Sequence, residues 1–162
     1  MTTMPAILGL YEAHLTVANL ERSIEFYRDI VGLEFAKLIP ERGIAFFWID
    51  DKKTGMLGLW YAGSGPLRIR LHIALRMSLD GVLASAAHLS AAGVTPLDFY
   101  GNPSSEPVVI GWMPAVSQYF ADPDGHSIEF ICVLDEAPDD NFGMQPYSKW
   151  LERHPGGATA RA

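Results

Sequence analysis

Cysteine is almost missing: Cys132 is the one thiol among 162 residues. No disulfide can form within the chain, and an all-cysteine metal site is excluded. Cys132 sits in the apolar run Ile128-Glu-Phe-Ile-Cys-Val-Leu134. It reads as a buried small hydrophobe, because nothing nearby would lower its pKa and make it a nucleophile. Positive charge is also scarce. Twelve Lys+Arg face nineteen Asp+Glu, a net charge of −7. That balance argues against a nucleic-acid partner held through phosphates and against an anionic membrane surface. Long hydrophobic runs are lacking too. Met1 to Leu10 holds no Lys or Arg and only a short apolar stretch, so neither a signal peptide nor a membrane span is expected there. A cytoplasmic, reducing home is the resulting expectation.

What is present fits a packed fold. Hydrophobic residues make up 49% and charged residues 19%, which argues against disorder. A chain of this length buries enough surface to need no staples.

Period-2 alternation in 8–18 predicts a strand with Glu12, His14 and Thr16 on one face and Tyr11, Ala13, Leu15 and Val17 on the other. Asn19 is a good helix N-cap, and Leu20, Ile24, Tyr27 and Val31 follow at helical spacing up to Gly32. Strands are predicted at 34–39, 44–50 and 56–62. Gly63-Ser-Gly-Pro66 then punctuates the chain, and the pattern restarts. Residues 68–77 read as a strand with Arg68, Arg70, His72, Ala74 and Arg76 on one face. A helix is expected over 79–92 and strands over 94–99, 116–121 and 126–134, with 107–115 ambiguous and a short helix at 147–153. The order βαβββ–βαβββ implies an α+β fold of two tandem modules. The expected divisions are 1–62, a linker at 63–66, 67–134, and a C-terminal tail from 135.

Three residues stand at corresponding places in this repeat. His14 and His72 are each mid-strand at the start of a module, and Glu129 lies in the final strand of the second. Two imidazoles and a carboxylate can bind one side of a divalent ion and leave positions open for substrate or water. The same residues are also compatible with ordinary strand positions.

The segments His14-Leu-Thr-Val-Ala-Asn-Leu-Glu-Arg-Ser-Ile-Glu-Phe-Tyr27, Gly32-Leu-Glu-Phe35 and Tyr119-Phe-Ala-Asp-Pro-Asp-Gly-His-Ser-Ile-Glu129-Phe, with His72, resemble the vicinal oxygen chelate superfamily. That group includes glyoxalase I, extradiol dioxygenases, methylmalonyl-CoA epimerase, and fosfomycin- and bleomycin-resistance proteins. The resemblance spans about residues 8–134. It implies curled sheets forming a cup around a divalent metal, and frequent pairing as homodimers. It implies metal ligands at His14, His72 and Glu129, with the metal (iron, manganese, zinc or nickel) left open. The family's fourth ligand would fall in Met56–Tyr61, near Gly58, where no Glu, Gln or His stands. This departure weakens the likeness to a typical glyoxalase I. A three-ligand set is more similar to extradiol dioxygenases and fosfomycin-resistance enzymes. The former would need a further His between His14 and His72, and the latter a basic residue after the last strand; this chain has neither.

Tyr119 resembles the active-site tyrosine of both branches, and Thr16 resembles a threonine of the fosfomycin enzymes. Glu12, on the His14 face, is a candidate base or supporting carboxylate. Trp60, Ser117 and Arg70 are candidate substrate contacts. Lyase or isomerase, ring-opening and dioxygen chemistry all remain open. The alternative is a metal-independent protein that binds or sequesters a small molecule.

Overall fold

The computed structural model describes residues 9–62 and 69–161, so the linker expected at Gly63–Pro66 lies outside the described residues. The chain divides into two compact units, one ending at Ile69 and the other beginning at Arg70.

The first unit contains β1 (Glu12–Val17), α1 (Leu20–Glu25), β2 (Glu34–Ile39), β3 (Ile44–Trp48) and β4 (Met56–Tyr61). Asn19 caps α1 by accepting from the Arg22 amide at 2.9 Å. The helix runs on into a π-helical turn, Phe26–Ile30. Gly32 follows at φ +82°, a left-handed conformation that ends the helix at little steric cost. The sheet order is β1-β4-β3-β2, with β1 parallel to β4 and the other pairs antiparallel. Alternation sorts the strands as expected. Leu15, Val17, Phe47, Leu57 and Leu59 are buried on one face, together with Phe26 and Tyr27 from the helical segment. Each such side chain contributes roughly 1.5–3 kcal/mol through burial. Glu12, His14 and Thr16 are left on the opposite face.

The second unit contains β5 (His72–Arg76), α2 (Leu79–Ala91), β6 (Val108–Ile110), β7 (Ala115–Ala121), β8 (Ser127–Val133), β9 (Met144–Pro146) and α3 (Tyr147–Arg153). Its sheet order is β5-β8-β7-β6-β9, and only β5–β8 is parallel. Helix α2 packs on β7 and β8 and buries Val82, Ala86 and Leu89. The two mixed sheets and few helices make this an α+β fold that repeats βαβββ.

Two details differ from expectation. Residues 94–99 form no strand; Leu97 makes only isolated bridges to Pro103 and Tyr119. Pro96 has no N–H to give a ladder. The second module's third element is instead β6, inside the stretch 107–115. The tail also does more than form the expected helix. Its β9 pairs antiparallel with β6, and Trp150 of α3 is completely buried.

Candidate functional site

In the second unit, strand pairing gathers the chemistry on the sheet face opposite α2. His72 lies directly across from Ser127, and Tyr119 directly across from Glu129. His72 Nε2 is 3.1 Å from Glu129 Oε2. Its Nδ1 is 3.2 Å from Ser127 Oγ. Glu129 is only 4% exposed, and its second oxygen, Oε1, is buried without a hydrogen bond. A carboxylate oxygen left so costs more than the roughly 1–3 kcal/mol of a neutral orphan. The Tyr119 phenol lies beside this carboxylate. Its burial, and then the Glu129 charge, push its pKa well above the usual tyrosine value, so it keeps its proton at neutral pH. Ser117 is fully buried on the same strand face beside Tyr119.

These groups open on a cavity of about 450 Å³. His72, Tyr119, Ser127 and Glu129 form its polar side. Phe99, Ile110, Trp112 and Met144 form its apolar side. Ser127 is detectable in the sequence only as the residue two before Glu129 on one strand face. Phe99 and Met144 carry no such signal. Arg70 does not line the cavity; its guanidinium lies against Gly125 in the turn before β8. His126 is buried and uses Nδ1 to accept the Leu71 amide at 3.0 Å, which secures the entry to β5. Burial raises the Cys132 thiol pKa, in keeping with an inert side chain.

In the first unit, His14 lies opposite Gly58, and Thr16 opposite Trp60. Both ring nitrogens of His14 are engaged. Nδ1 accepts the indole N–H of Trp60, and Nε2 meets a carboxylate oxygen of Glu12. Phe46 meets the imidazole edge-on at 5.7 Å between ring centres, and the Arg42 guanidinium stands 5.4 Å over the indole. Thr16 is exposed on the same face.

The pairing also relocates the position of the missing fourth ligand. Glu129 lies opposite Ala74, two residues after His72. The corresponding partner in the first unit is the one opposite Thr16, two residues after His14. That residue is Trp60, not Gly58.

The donor sets differ in their fit to a divalent ion. His72 and Glu129 fit: a buried carboxylate oxygen lacks a partner, and an imidazole nitrogen is directed at the same carboxylate. Ser127 can accept from His72 Nδ1, which would leave the Nε2 lone pair available. His14 does not fit while Trp60 and Glu12 hold both of its nitrogens. Among the described residues, neither unit by itself assembles three His, Cys, Asp or Glu that could hold an ion.

The model of the Glyoxalase/Bleomycin resistance protein/Dioxygenase superfamily matches residues 8–130. An integron cassette protein from the mobile metagenome of the Halifax Harbour sewage outfall is 31% identical, with a TM-score of 0.63, over 77% of this chain and 98% of that one. Lactoylglutathione lyase from Agrobacterium tumefaciens is 20% identical, with a TM-score of 0.59, over 78% of this chain and 94% of that one. Oxidase ChaP-H2 is 22% identical, with a TM-score of 0.59, over 78% and 94%. The last two likenesses are of fold.

Proposed function

The chain belongs to the Glyoxalase/Bleomycin resistance protein/Dioxygenase superfamily, and from that premise we propose that it is a divalent-metal-dependent enzyme acting on a small substrate with two adjacent oxygens and an apolar or aromatic body. The observation that carries this reading is Glu129: a buried carboxylate, one oxygen unpartnered and the other against His72, at the wall of a largely apolar cavity. His72 and Glu129 are the ligands of the second module. His14 is the candidate ligand of the first module, engaged at present by Trp60 and Glu12. A bound ion would polarise the substrate oxygens as a Lewis acid.

The chain's own groups have separate tasks. Ser127 orients His72. Tyr119, held protonated, donates a hydrogen bond or proton toward the substrate rather than removing one. Phe99, Trp112 and Met144 take the apolar body and exclude water. Glu12 is the candidate base of the first module, and Thr16 a polar contact beside it. Ser117 supports Tyr119 from its buried place. Arg70 is retained only as a contact for an anionic substrate group that extends past the turn at Gly125. A homodimer in the cytoplasm completes the reading. It is supported by the family resemblance and by the single cysteine, and among the described residues no helix is long and apolar enough to cross a membrane.

The test is elemental analysis of protein purified without an affinity tag or chelator, repeated on His72→Ala and Glu129→Gln. The expected result is close to one transition-metal ion per chain in the native protein and loss in both variants. A chain that neither carries nor takes up iron, manganese, zinc or nickel would overturn the reading. Small-molecule binding without a metal would then be favoured. One observation already points that way: both nitrogens of His14 are engaged within the protein.

A further inference from the structure

We propose that Trp60 is a positioning residue that withholds His14 from a metal ion by fixing the tautomer of its imidazole. An indole N–H donates and cannot accept. The nitrogen it meets on His14 is Nδ1. That nitrogen must therefore present its lone pair, which excludes the Nδ1–H tautomer. The ring's one proton is then on Nε2, where it faces the Glu12 carboxylate. Both contacts are satisfied by a single arrangement, and in it neither nitrogen has a lone pair to offer. Ligation through Nε2 would move the proton to Nδ1, directly against the indole N–H. Ligation through Nδ1 would need the space the indole occupies. Either route requires Trp60 to leave.

The backbone is shaped for this closed state. Gly58, directly opposite His14, is buried, and a Cβ built on it would overlap the imidazole ring. The ring lies across bare backbone that any other residue would fill. Arg42 stands over the indole and Phe46 against the imidazole, so both rings are held from their outer sides as well. Glycine at 58 and tryptophan at 60 thus act together. One provides the berth for the ring and the other holds it there.

The second unit shows what the same fold does without the device. The counterpart of Trp60 is Glu129, and the counterpart of Gly58 is Ser127. A hydroxyl accepts as readily as it donates, so Ser127, unlike Trp60, does not itself dictate which nitrogen of His72 carries the proton. The proposal rests on the reading that the chain takes a divalent ion at His72 and Glu129. It adds that His14, the first module's candidate ligand, is closed off by its own neighbours within that module.

Two measurements on the full chain separate this proposal from that reading. The first is the tautomer of His14, read from its ring nitrogen chemical shifts by NMR without any metal. The native protein is expected to show the Nε2–H form, and Trp60→Phe a shift toward a mixture. A native Nδ1–H form would overturn the proposal whether or not the protein binds a metal. The second is Mn2+ titration by calorimetry of the native chain, Trp60→Phe, His14→Ala and the double variant. Trp60→Phe is expected to bind about tenfold more tightly, in the range by which supporting contacts tune metal sites. That gain should vanish when His14 is also alanine. Gly58→Ala, which evicts the ring by a different route, should give the same tautomer shift and a gain of the same sign. No gain in either variant, or a gain that survives His14→Ala, would overturn the proposal. Absence of Mn2+ binding in every variant would instead overturn the metal-dependent reading, with the tautomer measurement still deciding the role of Trp60.

Discussion

In the first unit the strand residue opposite Thr16 is an indole; in the second the residue opposite Ala74 is a carboxylate. Thr16 and Ala74 each stand two positions past the histidine of their own strand, which is parallel to the strand that faces it. The sheets are paired alike, the helices follow alike, and the histidines occupy matching places. On the last strand, an indole that donates to His14 Nδ1 stands where the other unit has an incompletely partnered carboxylate facing His72 Nε2. The lesson is that a repeated scaffold places a group, while its immediate neighbours decide which proton and which lone pair that group has to offer.

The comparison can be broken at several points. The largest effect is expected at Trp150, which belongs to the C-terminal addition found only in the second unit. It is completely buried, edge-on to Phe142 at 4.9 Å and stacked on His154 at 3.8 Å. Trp150→Ala should cost about 3–5 kcal/mol, measured by urea unfolding. It should also weaken ligand binding, since Met144 reaches the cavity from the adjoining strand. Next is Glu129→Gln, which keeps the shape and removes the charge. Its affinity for Mn2+ should fall about 100-fold, near 2.8 kcal/mol, by calorimetry. Ser127→Ala follows, with a loss of about tenfold as the support of His72 Nδ1 is removed. The smallest effect concerns Tyr119. Its proton is held more tightly in the folded state than in the unfolded one. The stability this supplies is complete below the ordinary tyrosine value of 10.0 and is lost as pH rises above it. At about pH 11 the native protein should lose on the order of 1 kcal/mol more than Tyr119→Phe, as seen in parallel thermal melts.

Much of the fold was legible because its signals are local. Asn19 and Gly32 bracket the first helical segment, β2 falls at residues 34–39, and α3 at 147–153, where sequence patterns place them. Period-2 alternation also assigned the inward and outward faces of β1. What was not legible depends on partners far along the chain. Val94 to Phe99 has a strand's composition, yet β7 pairs with Val108–Ile110 instead. Met144-Gln-Pro is too short to carry a pattern, and only the exposed ladder of β6 makes it a strand. The candidate site divides the same way. His72, Glu129 and Tyr119 were legible as spaced groups on alternating strands. The bond from Trp60 to His14 was not, because it depends on the register of strands 46 residues apart.

The strand β9 has a consequence for association. An open sheet edge invites a strand from another molecule. In the second sheet that invitation is withdrawn on one side: β9 covers β6, is three residues long, and ends at Pro146, which has no amide hydrogen to share. In the first sheet the outer strand β2 is twice as long and, among the described residues, pairs only with β3, with Phe35 and Leu38 about 40% exposed and a register shift between Phe35 and Lys37. Edge-to-edge growth of this protein, wanted or unwanted, is therefore blunted at β9, and at β2 it is checked only by an irregular ladder and the charges of Glu34 and Lys37.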